Sequence, residues 1–351
     1  MATLFITEQG ATLRKEANRL VVERDDIRLL EIHDFKCERV VVFGNVQLTT
    51  QAMSFLVERG IDTTFLSLHG KLKARLAPLE SKNSLLRVRQ YERTLDPAFA
   101  LSIAKAIVTA KINNCADLLK RHQRNHDGSD FRLELSQLAF LAEEAGHRRT
   151  VDSLRGIEGQ AAAVYFPGFG KALRRQLQFT KRTRRPPKDP VNALLSFGYT
   201  LLYGEAIAAL ACVGFDSYLG FLHSFHYGRC SLALDLMEEF RPLIVDRLVL
   251  KIINLEVVKP DDFETVPNTG VNLNTGARKR FFREYETVMS DQFKNAVEGE
   301  QTSLRRALHQ QALALQRAVI EGGAYTPFRR RGGETLCADS PLEMIRGSRA
   351  L

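Results

Sequence analysis

The chain has few cysteines, and no two of them are close together. Cys37, Cys115, Cys212, Cys230 and Cys337 are spread over 351 residues without a C-x-x-C pair. That argues against a zinc ribbon or a disulfide scaffold and suits a reducing, cytoplasmic setting. The opening Met1-Ala-Thr-Leu-Phe lacks a basic segment followed by an apolar core, so no signal peptide is expected. Long apolar runs are scarce too. The exception is Ala193 to Phe215, 23 residues with a single charge, Glu205. Its length would span a bilayer, but Ser196, Gly198, Tyr199, Thr200, Tyr203 and Gly204 interrupt it, so a buried core helix is expected and no membrane. Also missing are a G-x-x-x-x-G-K-S/T loop, a G-x-G-x-x-G turn and a G-x-S-x-G elbow. These gaps argue against an ATPase, a dinucleotide enzyme and an α/β hydrolase.

What remains is an ordinary globular composition, 44% hydrophobic and 26% charged. The net charge of +9 is unevenly placed: residues 1–80 hold 11 basic and 11 acidic side chains, so the whole excess lies in 81–351. A basic excess confined to one part suggests a polyanionic partner for that part.

Residues 1–80 read as a mainly β unit. Leu4-Phe-Ile, Leu20-Val-Val, Ile27-Arg-Leu-Leu-Glu-Ile, Val40-Val-Val-Phe and Thr63-Thr-Phe-Leu-Ser-Leu are candidate strands, and Lys71 to Leu76 a last strand or hairpin return. Thr49 to Arg59 reads as one helix, capped by Thr49 or Thr50 and stopped at Gly60. Pro78 and Glu80-Ser-Lys-Asn mark a hinge. From about residue 84 the period turns helical. Leu101, Ala104, Val108, Ile112, Cys115 and Leu119 form a stripe with Lys105, Lys111 and Lys120 off it. Further helices are expected at about 133–145, 150–165, 191–212, 231–254, 279–295 and 300–320, with an irregular tail over the last 25 residues. The fold class is therefore α+β: a small N-terminal mainly β domain, 1–80, and a larger all-α domain, 81–351.

Ser231 to Leu250 carries the densest chemistry. On a helical wheel Leu232, Leu236, Met237, Phe240, Leu243, Ile244 and Arg247 cover one broad side, and Leu234, Val245, Leu248 and Val249 much of the other. A helix apolar nearly all round is normally buried, with Ser231 its expected N-cap. Asp235 and Glu238 are i, i+3 neighbours. If buried, they need a positive partner; periodicity equally allows a solvated strip paired with Arg241 or Arg247. His223 reads either as a structural histidine or as an imidazole beside carboxylates, a divalent-metal arrangement. Glu158 lies among Gly156, Gly159 and three alanines. Those small neighbours would admit another helix or a DNA strand, though alone it reads as a solvated glutamate. Lys171 to Arg185 holds seven basic residues and no acid: Lys171, Arg174, Arg175, Lys181, Arg182, Arg184 and Arg185. Such density neutralises phosphates, unless the segment is a solvated loop. His122 and His126 lack the glutamate of an H-E-x-x-H pair and read as surface residues.

Three segments together resemble one family. They are Arg155-Gly-Ile-Glu-Gly-Gln-Ala-Ala-Ala-Val-Tyr-Phe, Asp189-Pro-Val-Asn-Ala-Leu-Leu-Ser-Phe-Gly-Tyr, and Gly220-Phe-Leu-His followed by Ser231-Leu-Ala-Leu-Asp-Leu-Met-Glu-Glu-Phe-Arg-Pro. Their order and spacing resemble the CRISPR-associated integrase-nucleases that capture new spacers, most closely those of type I systems. The resemblance covers the chain to about residue 320. It implies a homodimer and a site in which Glu158, His223 and Glu238 bind Mg²⁺ or Mn²⁺, with Asp235 auxiliary. One departure is Cys230, where a proline is expected. The implied reaction is attack by the 3′-hydroxyl of a captured DNA fragment on a phosphodiester at the end of a CRISPR repeat. With water as nucleophile the same site would cut DNA. Mn²⁺ is expected to serve at least as well as Mg²⁺, because of the imidazole ligand. The basic segment would hold DNA backbones. The N-terminal domain would mediate self-association and docking of a small ferredoxin-like second adaptation protein. Two other classes stay open: a general metal-dependent nuclease that never joins fragments, and a DNA-binding module without catalysis.

Overall fold

The computed structural model describes residues 2–329, apart from 69, 71, 78–82, 127, 175–176, 178, 184–185, 267–269 and 295–300. The expected hinge and most of the tail lie outside the described residues. The N-terminal part runs β1 (Ala2–Ile6), β2 (Thr12–Glu16), β3 (Arg19–Arg24), β4 (Ile27–His33), β5 (Cys37–Phe43), β6 (Gln47–Leu48), α1 (Thr50–Glu58), β7 (Asp62–Leu66) and β8 (Leu72–Leu76). Thr49 caps α1, its side chain accepting from the Ala52 N–H. Two four-stranded sheets result, ordered β1-β5-β7-β8 and β4-β3-β2-β6. The expected strands are all present. β2 was not anticipated, because Thr-Leu-Arg-Lys-Glu reads as charged; Arg14 there bridges Glu16 and Glu23 across the sheet surface at 3.0 and 2.7 Å.

Strand alternation splits β5 between two cores. Val40 and Val42 join Leu4, Ile6, Leu13, Leu20 and Phe55 in a small core between the sheets and α1. Val41 and Phe43, with Leu66, face the helical body and belong to its core. Phe5 stacks on Phe282 at 4.5 Å between centroids, and Phe43 lies 4.8 Å from Phe282. The β unit is thus welded to the helices. A truncation at residue 84 would strip part of the helical core, so it cannot by itself report on self-association.

The helical body comprises α2 (Ser84–Leu95), α3 (Pro97–Asn125), α4 (Arg132–His147), α5 (Val151–Lys171), α6 (Pro190–Val213), α7 (Ser231–Glu238), α8 (Arg247–Asn254), α9 (Thr275–Ser290) and α10 (Leu304–Glu321). The expected single helix over 231–254 is in fact α7, a wider π turn at Pro242–Asp246, and α8. Pro242 cannot donate to the preceding turn, which accounts for the break. Two features escape a helical reading: the hairpin β9 (Phe263–Val266) with β10 (Gly270–Leu273), and the ribbon β11 (Gln292–Lys294) with β12 (Gln301–Ser303).

α6 is the expected core helix. It starts on Asp189, whose side chain accepts from the Asn192 N–H, with Pro190 next, and it ends at Gly214 with φ 105°. By length and composition it would suffice to cross a membrane. Here it is enclosed by its neighbours, and its one charge is paired: Glu205 meets Arg39 from β5, and Arg305 of α10 at 3.1 Å. Arg39 also reaches Asp62 at 3.0 Å, and Arg305 reaches Glu286 at 2.9 Å. The four described cysteines are unpaired.

Candidate active site

α7 carries Asp235 and Glu238 inward, both buried, with 0% and 3% of their surface exposed. The solvated-strip reading therefore fails. Asp235 pins the preceding loop: its carboxylate accepts the backbone N–H groups of Phe221, Leu222 and His223 at 2.6, 2.9 and 2.9 Å. The same carboxylate takes a bond from His223 Nδ1 at 2.6 Å. With Nδ1 as donor, the Nε2 lone pair is left on the side of Glu238, whose Oε1 is 3.9 Å away. Gly220 makes this approach possible; a Cβ there would lie 2.7 Å from Asp235 Oδ2 and 2.9 Å from the Ser231 backbone.

The positive partner of Glu238 is protein. Lys111 of α3 lies 2.6 Å from Glu238 Oε2 and also pairs with Glu158, while Arg241 meets Glu238 Oε1 at 3.1 Å. Burial alone would raise the Glu238 pKa, but Arg241, Lys111 and His223 outweigh it and hold the carboxyl down, at about 2. Burial likewise works against the Lys111 charge, and the Glu238 and Glu158 carboxylates override it, leaving its pKa raised. The sequence pattern sets Lys111 off the apolar stripe of α3. α3 packs on both faces, and Lys111 is the charge that closes the second one.

Glu158, on α5, is half-buried and faces this cluster through Lys111. A Cβ on Gly156 or Gly159 would meet nothing within 4 Å. Among the described residues the space beside both glycines is therefore open. Ser231 is not the N-cap; Cys230 takes that place, and the Ser231 hydroxyl donates to the Ser224 carbonyl at 3.0 Å. Cys230 also supplies what proline lacks, an N–H, which donates to Tyr203 Oη at 3.1 Å.

Two carboxylates and an imidazole, with one imidazole nitrogen oriented by a buried aspartate, form a donor set that suits Mg²⁺ or Mn²⁺. Among the described residues no three His, Cys, Asp or Glu side chains already close on one point. The Lys111 ammonium holds the place between the two glutamates.

Comparison with known proteins decides the family. The CRISPR associated protein Cas1 family matches residues 4–287. The chain belongs to that family. A Cas4/Cas1 exonuclease–endonuclease fusion from Geobacter sulfurreducens is 39% identical over 338 residues, 93% of this chain and 60% of the fusion, so the chain spans three fifths of that relative. A CRISPR-associated endonuclease Cas1 of Thermus thermophilus is 35% identical over 334 residues, covering 94% of this chain and 98% of the relative. Among solved structures, a Cas6-RT-Cas1–Cas2 complex matches 94% of this chain and 36% of its own, at 27% identity and a TM-score of 0.78. The Cas1 family is thus the one to which the three motifs pointed.

Other parts of this Cas1 family member were not foreseen. Behind Arg241 lies buried Asp246, which accepts from Tyr165 Oη at 2.8 Å and Tyr199 Oη at 2.5 Å. Arg241 and Arg182 both lie over the Tyr199 ring, 4.7 and 5.4 Å from its centroid. Burial pushes the Asp246 carboxyl up to about 6 from 3.8. The folded state therefore keeps a proton that the unfolded state has lost between those values. Stability should fall as pH rises through that window, by on the order of 3 kcal/mol. Asp246→Asn keeps acceptor and donor for the two tyrosines and should remove this slope. Thermal unfolding of both proteins from pH 4 to 7 tests it; a difference in midpoint that stays constant with pH would contradict the assignment.

Glu239 is also buried and inaccessible to DNA. It accepts from Tyr325 Oη and the Phe328 N–H, both at 2.6 Å, and so docks the segment after α10 onto α7. Burial raises its pKa to about 7. His122 is buried, not a surface residue. Burial, then His126 and Arg174, push its pKa down to about 4.

The basic segment divides. Lys171 closes α5 and pairs with Glu134. The Arg174 guanidinium approaches His126 Nδ1 at 3.2 Å. Arg182 donates to Asn192 Oδ1 at 2.8 Å and Ser196 Oγ at 3.1 Å, bracing the start of α6. Lys181 is exposed. Arg175, Arg184 and Arg185 lie outside the described residues.

Proposed function

We propose that this chain is a divalent-metal-dependent DNA endonuclease and integrase that inserts captured fragments into a CRISPR array. The observation that carries this reading is that Glu158 and Glu238 share the Lys111 ammonium while His223 Nε2 lies 3.9 Å from Glu238, three residues from separate motifs brought together in a Cas1 family member. Glu158, His223 and Glu238 would hold Mg²⁺ or Mn²⁺, which when bound supplies positive charge to polarise a phosphodiester. Asp235 keeps the proton on His223 Nδ1 and fixes the ring. Arg241 holds Glu238 in place through Oε1. No serine or cysteine nucleophile is required, since the attacking group is the 3′-hydroxyl of the incoming DNA.

The assay is joining of a short duplex with free 3′-hydroxyls to a repeat-bearing duplex, in Mn²⁺, in Mg²⁺ and in EDTA. Joined product in either metal and none in EDTA is expected, with Mn²⁺ at least as effective. Robust joining in EDTA would end the metal reading; cutting without joining would favour the general nuclease.

The partners follow the same reading: DNA, a second copy of the chain, and the small Cas2-type protein of the adaptation complex. β4 supports self-association. It is an edge strand with Ile27 65%, Leu29 47% and Leu30 44% exposed. The basic segment would contribute affinity without sequence choice. Removing a cation that neutralises one phosphate should flatten the salt dependence of log K by roughly 0.9. Replacing Arg174 and Lys181 by alanine should thus lower the slope by about one to two units on repeat and scrambled duplexes alike, read by titration at several salt concentrations. An unchanged slope would make these two solvated side chains.

A further inference from the structure

Arg241 secures Glu238, yet its own polar contacts are few. Among the described residues the guanidinium makes one ion pair, to Glu238 Oε1 at 3.1 Å, and its Nε has no hydrogen-bond partner. What braces it from the other direction is the Tyr199 ring, with the centroid 4.7 Å away. The ring is itself held. Its hydroxyl donates to buried Asp246 at 2.5 Å, and Asp246 also accepts from Tyr165, about two helical turns beyond Glu158 on α5. The Arg182 guanidinium lies 5.4 Å from the same centroid and is tied to Asn192 and Ser196.

The π turn accounts for one segment reaching this ring twice. Arg241 and Asp246 are five residues apart, which on an α-helix of 3.6 residues per turn would set them about 140° from each other. Here the Arg247 N–H reaches back five residues to the Pro242 carbonyl, the wider π spacing, and both side chains meet Tyr199. A regular helix would turn one of the two away. We propose that Tyr199 is a positioning residue for strand joining: its ring keeps the Arg241 guanidinium on Glu238 and so fixes the orientation of that carboxylate. This rests on the reading of the chain as a metal-dependent integrase. A residue that acts only through Arg241 and Glu238 affects metal affinity and turnover and leaves DNA affinity alone.

The test is a double-mutant cycle in the whole protein, with Tyr199→Leu, Arg241→Lys and the two combined, and with Tyr199→Phe as the ring-preserving control. Arg241→Lys keeps the charge and loses the planar face. Mn²⁺ affinity is read without DNA, from the free ion by electron paramagnetic resonance; kcat and KM for joining are read in saturating Mn²⁺. Loss of a group that orients a metal ligand costs about 10- to 100-fold. Tyr199→Leu and Arg241→Lys should each weaken Mn²⁺ binding and lower kcat by about ten-fold or more, with KM for DNA within about two-fold of wild type. The double variant should be no worse than the more impaired single one, because both substitutions break the same link. Tyr199→Phe should bring both quantities back to within about three-fold of wild type, since the ring remains. Losses that multiply in the double variant, a loss confined to KM, or a Tyr199→Phe as impaired as Tyr199→Leu would overturn the positioning role and leave the enzyme reading intact. Wild-type protein that binds no Mn²⁺ and joins no DNA would overturn both. If Tyr199→Leu does not fold, Tyr199→Met, whose flexible side chain fills irregular gaps, replaces it in the same cycle with the same expected losses.

Discussion

Glu158→Ala and His223→Ala should each lower strand joining by about a thousand-fold or more, since removing charge stabilisation of several kcal/mol costs a decade per 1.36 kcal/mol. Both side chains are partly exposed, at 23% and 27%, so the fold and DNA binding should survive. Glu238 behaves differently. Alanine there would leave Lys111 and Arg241 buried beside each other without their carboxylate, a loss of about 3 to 5 kcal/mol in stability. Glu238→Gln retains the shape and is the cleaner probe of chemistry. Asp235→Asn offers one acceptor oxygen where four donors converge, and it should reduce joining by about 10- to 100-fold through misplacement of His223. Gel assays of joined product, with thermal unfolding run alongside, measure both effects. Near-normal joining by Glu158→Ala, His223→Ala and Glu238→Gln together would remove these residues from the chemistry.

Lys111→Met should have a large effect that depends on metal. Without the ammonium, Glu158 and Glu238 face one another across a buried gap, and stability in EDTA should drop by about 3 to 5 kcal/mol. A divalent ion entering between the two carboxylates would restore much of that loss by binding only the folded state. The readout is the unfolding midpoint in EDTA and in Mn²⁺, with no activity involved. If the variant were equally destabilised in both, no metal would sit between these glutamates. On the proposed metal site the lysine and the ion would compete for one location, so Mn²⁺ should raise the midpoint of Lys111→Met more than that of the wild type.

The sequence disclosed the elements with strong periodic or β-branched signals: β1, β3, β5, α1, and the long helices. β2 stayed hidden because its outward face is charged, and the 263–273 hairpin because four-residue strands carry little pattern. Of the site, Asp235 and Glu238 were readable as neighbours one turn apart, but His223 and Glu158 joined them only through resemblance to a family. Lys111 gave no signal. It lies 47 residues from Glu158 along the chain, and only the packing of α3 on two sides brings its ammonium inward. Arg182 misled for the opposite reason: in a run of cations, nothing local marks the one whose guanidinium braces a helix.

The arginine–carboxylate lock around Glu205 bears on how interchangeable the parts of such proteins are. The first eighty residues look portable, a β unit with its own small core. Yet Arg39 from that unit neutralises a glutamate at the heart of the helical body, together with Arg305. A chimera that took its N-terminal unit from a relative without arginine at this position would leave Glu205 with half its compensation. One that kept Arg39 but lost Glu205 would leave Arg39 only Asp62 and Arg305 only Glu286, each guanidinium short of the carboxylate they share. Exchange between relatives should therefore cost least stability where positions 39, 205 and 305 are taken from one parent.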